Sequence, residues 1–117
     1  MTEAPTPTAY TIFMLVKATE AWLALSPPDR FAFVRAEIQP RLREQPGVSL
    51  RYFDTEFFNS DVSDVMVWET LDLDAYRALI EGLRETRFWD HYFRVISILP
   101  GVENAYAVHY DVEPLGG

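Results

Sequence analysis

No cysteine occurs in the 117 residues, which excludes a disulfide framework, a thiolate nucleophile and cysteine-ligated zinc or iron–sulfur chemistry. Basic residues are scarce as well: ten Lys and Arg stand against eighteen Asp and Glu, a formal charge of −8. That balance repels phosphate backbones and anionic lipid, so neither a nucleic-acid nor a membrane partner is expected. No apolar run approaches the ~20 residues needed to span a bilayer. The opening MTEAPTPTAY has neither the basic flank nor the apolar stretch of a signal peptide, and a cytoplasmic location is expected. Glycine is sparse and scattered, five in all. No phosphate-cradling loop is therefore expected, and Ser26, Ser49, Ser60, Ser63 and Ser97 lack the glycine-flanked turn of an activated serine.

What the chain does have is apolar surface: 49% of residues are apolar and 15% aromatic, enough for one well-packed core in a chain this long. Residues 1–9 are expected to be a disordered tail and 111–117 a flexible one, leaving a single domain over 10–110. YTIFMLVK at 10–17 is a short continuous apolar run that suits a strand covered on both faces. SPPDRFAFVRAEIQPRL supplies a helix start, with Ser26 as N-cap and Pro27 in the first turn. Its buried stripe is expected to be Phe31, Val34, Ile38 and Leu42, and Pro40 to kink or end it near Gln39. Residues 48–57 and 63–70 read as a hairpin around Asn59, Ser60 and Asp61. Asp72 then caps a second long helix with Leu73, Tyr76, Ile80 and Leu83 on one face. RFWDHYF is an aromatic turn, FRVISILPG a fourth strand, and ENAYAVHY alternates in the manner of an extra C-terminal edge strand.

This order, βαββαβ plus one strand, is the ferredoxin-like α+β plan, in which strands one and three are central. Two long helices cover only one face of such a sheet. The bare face would be a large apolar patch, which a homodimer with stacked sheets, a dimeric α+β barrel, removes.

The strings DTEF (54–57), VWE (67–69), LRETRFWDHYF (83–93) and GVENAYA (101–107) resemble the darcynin family of small bacterial proteins, over essentially the span 10–110. The resemblance carries over no catalytic residues. That family is similar in turn to the dimeric α+β barrel proteins, among them cofactor-free oxygenases and cyclases of polyketide aromatics in antibiotic biosynthesis, small isomerases, and haem proteins. Fold alone does not choose among these.

Three constellations are candidates for chemistry. Asp54 and Glu56 point the same way from one strand, and Glu69 on the next reaches them only if the register allows. A desolvated carboxylate there is a candidate base, and a structural ion pair with Arg35, Arg51 or Arg94 is the alternative. Trp89, Asp90, His91 and Tyr92 place an imidazole beside a carboxylate in an aromatic surround, or else form the lid of the core with His91 outside. Tyr52, Trp68 and Trp89 are candidate ring-orienting residues of a flat apolar pocket, although large rings belong more often to a core. The expectation is a small-molecule enzyme acting without a cofactor on a hydrophobic, aromatic or polyketide-like metabolite by proton abstraction, in a monooxygenase, cyclase or isomerase type of reaction. Asp54, Glu56 and His91 are its catalytic candidates, and Tyr52, Trp68, Glu69, Trp89 and Tyr92 its substrate-binding candidates. The alternative is a non-catalytic small-ligand or protein-binding dimer. No metal site is expected, because His91, His109 and Glu56 lack the local spacing of a facial triad. A lone histidine offers haem an axial ligand without any evident propionate-binding site.

Overall fold

The computed structural model describes residues 6–116; the expected tail therefore lies outside the described residues at 1–5, as does Gly117. Four antiparallel strands, β1 (Tyr10–Ala18), β2 (Val48–Asp54), β3 (Asp64–Thr70) and β4 (Phe93–Gly101), form one sheet in the order β2-β3-β1-β4. The two apolar strands are central, as their side chains require. Because alternate residues face opposite sides, the register puts Ile12, Met14, Val16, Met66 and Trp68 on one face and Phe13, Leu15, Val65 and Val67 on the other. The first set is almost fully enclosed by the helices.

Between β1 and β2 run α1 (Glu20–Leu23), α2 (Pro27–Phe33), a π-helical turn (Val34–Ile38) and α3 (Gln39–Glu44). Ser26 caps α2, its hydroxyl accepting the Asp29 N–H at 3.3 Å. Pro40 does not end this helical run. It lacks an N–H and would crowd the carbonyl one turn back, and the chain widens to a π turn just before it, the Gln39 N–H reaching the Val34 carbonyl. The helix then continues to Glu44. Widening also rotates the buried stripe: Phe33, Val34, Ile38 and Leu42 face the core, whereas Phe31 is 60% exposed.

α4 (Leu73–Arg84) starts on Asp72, whose Oδ1 accepts the N–H groups of Asp74 and Ala75 at 2.9 and 3.3 Å. Its buried face is centred on Leu79 and Leu83, with Tyr76 and Ile80 beside them and Leu73 at the exposed edge. The RFWDHYF turn folds onto the start of α1 through Thr19, whose hydroxyl donates to the His91 carbonyl at 2.7 Å and whose N–H donates to the Tyr92 carbonyl at 2.9 Å.

The expected fifth strand is not formed. Asn104 enters the left-handed region at φ 51° and reverses the chain, and Ala105–Tyr110 is a short helix, α5. Two alanines in six residues favour that state locally, and alternation without a pairing partner does not make a strand.

Candidate functional site

The π turn, α2 and α3 stand off the sheet at the hairpin end of β2 and β3, leaving a cavity of about 580 Å³. π turns recur at functional sites because they displace one turn's side chains from the regular helical positions; here Val34, Ile38 and Gln39 line the cavity. Its walls are apolar, with Trp22, Phe33, Leu50, Met66, Phe88 and Phe93 contributing, and Phe31 and Leu23 standing exposed among its lining residues. The volume lies within the range of small-molecule sites.

One end is polar. Asp54 and Asp64 are direct cross-strand partners at the last rung of the β2–β3 ladder, on the helix-covered face. Tyr52 lies one alternation in from Asp54, and Glu56 follows in the turn. Carboxylate oxygens of Asp54, Glu56 and Asp64 all lie within 4.8 Å of one another. Asp64 is buried, while Asp54 and Glu56 are exposed. The Ser63 hydroxyl, which accepts the Ala18 N–H at 2.7 Å, donates to Asp64 Oδ2 at 2.7 Å.

The electrostatics follow from this placement. Burial pushes the Asp64 carboxyl above the ordinary carboxylate range. The Ser63 and Tyr52 hydroxyls oppose that shift, and Glu56 and Asp54 add to it. Asp64 therefore holds its proton to higher pH than a carboxyl in water. Partial burial, then the negative field of Asp64, Asp54 and Glu56, raises the Tyr52 phenol above its ordinary value although the residue is 46% exposed, and Tyr52 is a neutral hydroxyl donor.

The two cations that line the cavity are engaged elsewhere: Lys17 Nζ donates to the Ser60 carbonyl at 2.5 Å, and Arg30 donates to the Trp22 and Leu23 carbonyls at 3.2 and 2.9 Å. Among the described residues, none of the three carboxylates takes part in a salt bridge.

Of the residues singled out from sequence, Tyr52, Asp54 and Glu56 meet at this cavity and the others do not. Glu69 pairs with Thr11 and Ser49 at the far end of the ladder, on the opposite face, so the register separates it from Asp54. Trp68 is fully enclosed core beside Tyr76, ring centroids 6.3 Å apart. Trp89 is half-buried outside the cavity lining, with the Arg84 guanidinium 5.3 Å from its ring centroid. Tyr92 is buried behind Trp22 and Phe33 rather than in the cavity wall. His91 is exposed, its ring leaning on Tyr92. Asp64 is the residue that sequence reasoning missed; the pairing of 54 with 64 across the hairpin was the signal that could have found it. Haem does not fit the site: both histidines, His91 and His109, are exposed and outside the cavity lining, and the acidic end would repel propionates.

Residues 2–117 match the family model "Darcynin, domain of unknown function". A darcynin homologue of Granulibacter bethesdensis is 48% identical over 103 residues, covering 87% of this chain and 83% of its own. One of Streptomyces avermitilis is 47% identical over 106 residues, covering 90% and 88%. Among solved structures, chlorite dismutase from Candidatus Nitrospira defluvii in complex with imidazole superposes with a TM-score of 0.68 at 16% identity, covering 83% of this chain and 41% of that one. A mutant of the same enzyme gives 0.67 at 16%, covering 86% and 42%. This chain thus spans about two-fifths of those structures, and the likeness is one of fold.

Proposed function

As the chain belongs to the Darcynin family, a domain of unknown function, we propose a role from the cavity itself: it binds a hydrophobic, aromatic or polyketide-like metabolite and moves a proton on it. The observation that carries this reading is the joining of an apolar cavity to a buried, proton-holding Asp64 whose cross-strand partner, Asp54, faces water. Once ionised, Asp64 takes a proton from an acidic C–H or phenol of the bound ring. As Asp64 takes the proton, Tyr52 turns its single O–H from that carboxyl to the oxygen on which charge develops, and Asp64 then passes the proton to Asp54 or Glu56 and so to solvent. Isomerisation and cyclisation balance without a co-reactant; a monooxygenase reaction needs dioxygen in addition.

The second element of the proposal is a homodimer. The sheet face away from the helices carries Phe13 and Phe53, each 41% exposed, with Leu99 at 52%. Apolar surface of that extent is seldom left in water.

The proton-transfer step is tested on ligand captured from cell extract by following hydrogen–deuterium exchange at its acidic position by mass spectrometry. Wild-type protein accelerates the exchange, and Asp64→Asn lowers the rate by ~10²–10⁴, the usual contribution of a positioned acid–base group. Equal rates in the two proteins would reject Asp64 as the proton-transfer group.

A further inference from the structure

α5 (Ala105–Tyr110) and the residues after it form an arm that packs only slightly on the rest of its own chain. It is nevertheless built. The Ala107 N–H donates to the Asn104 carbonyl at 3.0 Å, the Val112 N–H to the Ala107 carbonyl at 3.0 Å, and the Leu115 N–H to the Tyr106 hydroxyl. Asn104 and Asp111 turn the chain at either end through left-handed conformations. Its outer side is apolar: Val108 is 82% exposed, Tyr110 70% and Leu115 83%. A six-residue helix is far below the ~12–15 residues at which isolated helices become even marginal in water. Its own chain buries only the Ala107 side, and the outer apolar side has no packing partner among the described residues.

We propose that this arm clasps a second copy of the chain. The inference rests on the face-to-face dimer proposed above and adds a separate contact to it. α5 follows directly from β4, and Val102, between them, lines a groove on the open sheet face together with Phe13, Phe53 and Val67. The arm thus leaves its domain at the rim of the surface that the second copy covers. Area points to the same occupant. Four strands ~4.8 Å apart, two of seven and two of nine residues, at ~3.3 Å each, offer a flat patch of about 510 Å². A stable interface buries roughly 800 Å² per partner. An aromatic side chain buries roughly 150–250 Å², so Tyr110 with Val108, Val112 and Leu115 brings the total close to that figure.

Sedimentation equilibrium of full-length proteins tests the clasp. Phe53→Asp disrupts the sheet face, and Val108→Asp/Leu115→Asp disrupts the arm, where both positions are exposed in the single chain. Each is expected to weaken the dimer at least tenfold with the far-ultraviolet spectrum unchanged. If Phe53→Asp weakens it and the arm variant does not, the clasp is overturned and the face-to-face dimer stands. If only the arm variant weakens it, the clasp stands and the stacked sheets fall; a wild-type monomer at all concentrations overturns both. Should the arm variant unfold, a photo-crosslinking benzophenone side chain in place of Tyr110 decides the matter: covalent dimers support the clasp, and intrachain products alone overturn it.

Discussion

Asp64→Asn is expected to stabilise the protein at neutral pH, although it removes a buried ionisable group at the centre of the proposed site. Two ionised carboxylates 4.8 Å apart repel by ~3.5 kcal/mol at an effective dielectric of 20 and by ~0.9 kcal/mol in bulk water. Asp54 and Glu56 are both exposed, so each pair lies near the bulk-water limit and is screened by salt, and ionising Asp64 beside the two together costs about 1–3 kcal/mol. Asparagine keeps an oxygen to accept the Ser63 hydroxyl and carries no charge at any pH. Asp64 has its folded-state pKa raised; the native state therefore holds the proton more tightly than the unfolded chain. Its contribution is fully favourable below the unfolded value near ~3.9 and is lost as pH rises through the folded value. Urea denaturation across a pH series should thus show Asp64→Asn more stable than wild type by about 1–3 kcal/mol at neutral pH, with the difference vanishing near ~3. A variant less stable than wild type at neutral pH, or an offset that does not change with pH, would refute the reasoning.

Tyr52→Phe removes a hydroxyl held neutral beside Asp64 and is expected to slow the ligand exchange reaction by about tenfold or more while leaving ligand binding intact, read by exchange kinetics and native mass spectrometry. Glu69→Gln and His91→Ala alter groups outside the cavity lining and should leave both readouts within about twofold of wild type. Leu83→Ala empties a fully buried position on the core face of α4 and is expected to cost about 2–5 kcal/mol in urea denaturation.

Much of the sheet was legible because its signals are local. The continuous apolar runs of β1 and β3 mark central strands, and Ser26 and Asp72 mark helix starts that the structure forms with side-chain caps. The site was only half legible. Asp54, Glu56 and Tyr52 were visible as polar residues in an otherwise apolar strand, but their partner depends on hairpin register. A one-residue slip of that pairing turns Asp64 to the open face and Glu69 to the helix-covered one, and no single strand's pattern decides it. Trp68 and Trp89 show the same limit from the other side: ring content alone does not separate core from pocket. α5 failed for a third reason, since alternation in Tyr106, Val108 and Tyr110 means a strand only where an edge pairs with it. Pro40 ended no helix because a π turn absorbed its missing donor, an accommodation that has no sequence signature of its own.

The central claim is that the cavity between the π turn and the β2–β3 hairpin is where a ligand sits. Native mass spectrometry of protein recovered from cell extract tests it with Val34→Trp, which fills the cavity from the π turn with a side chain of similar polarity. The expected result is a small-molecule adduct on the wild type that is absent from the folded variant. The same adduct on both proteins, or none on either, would contradict it.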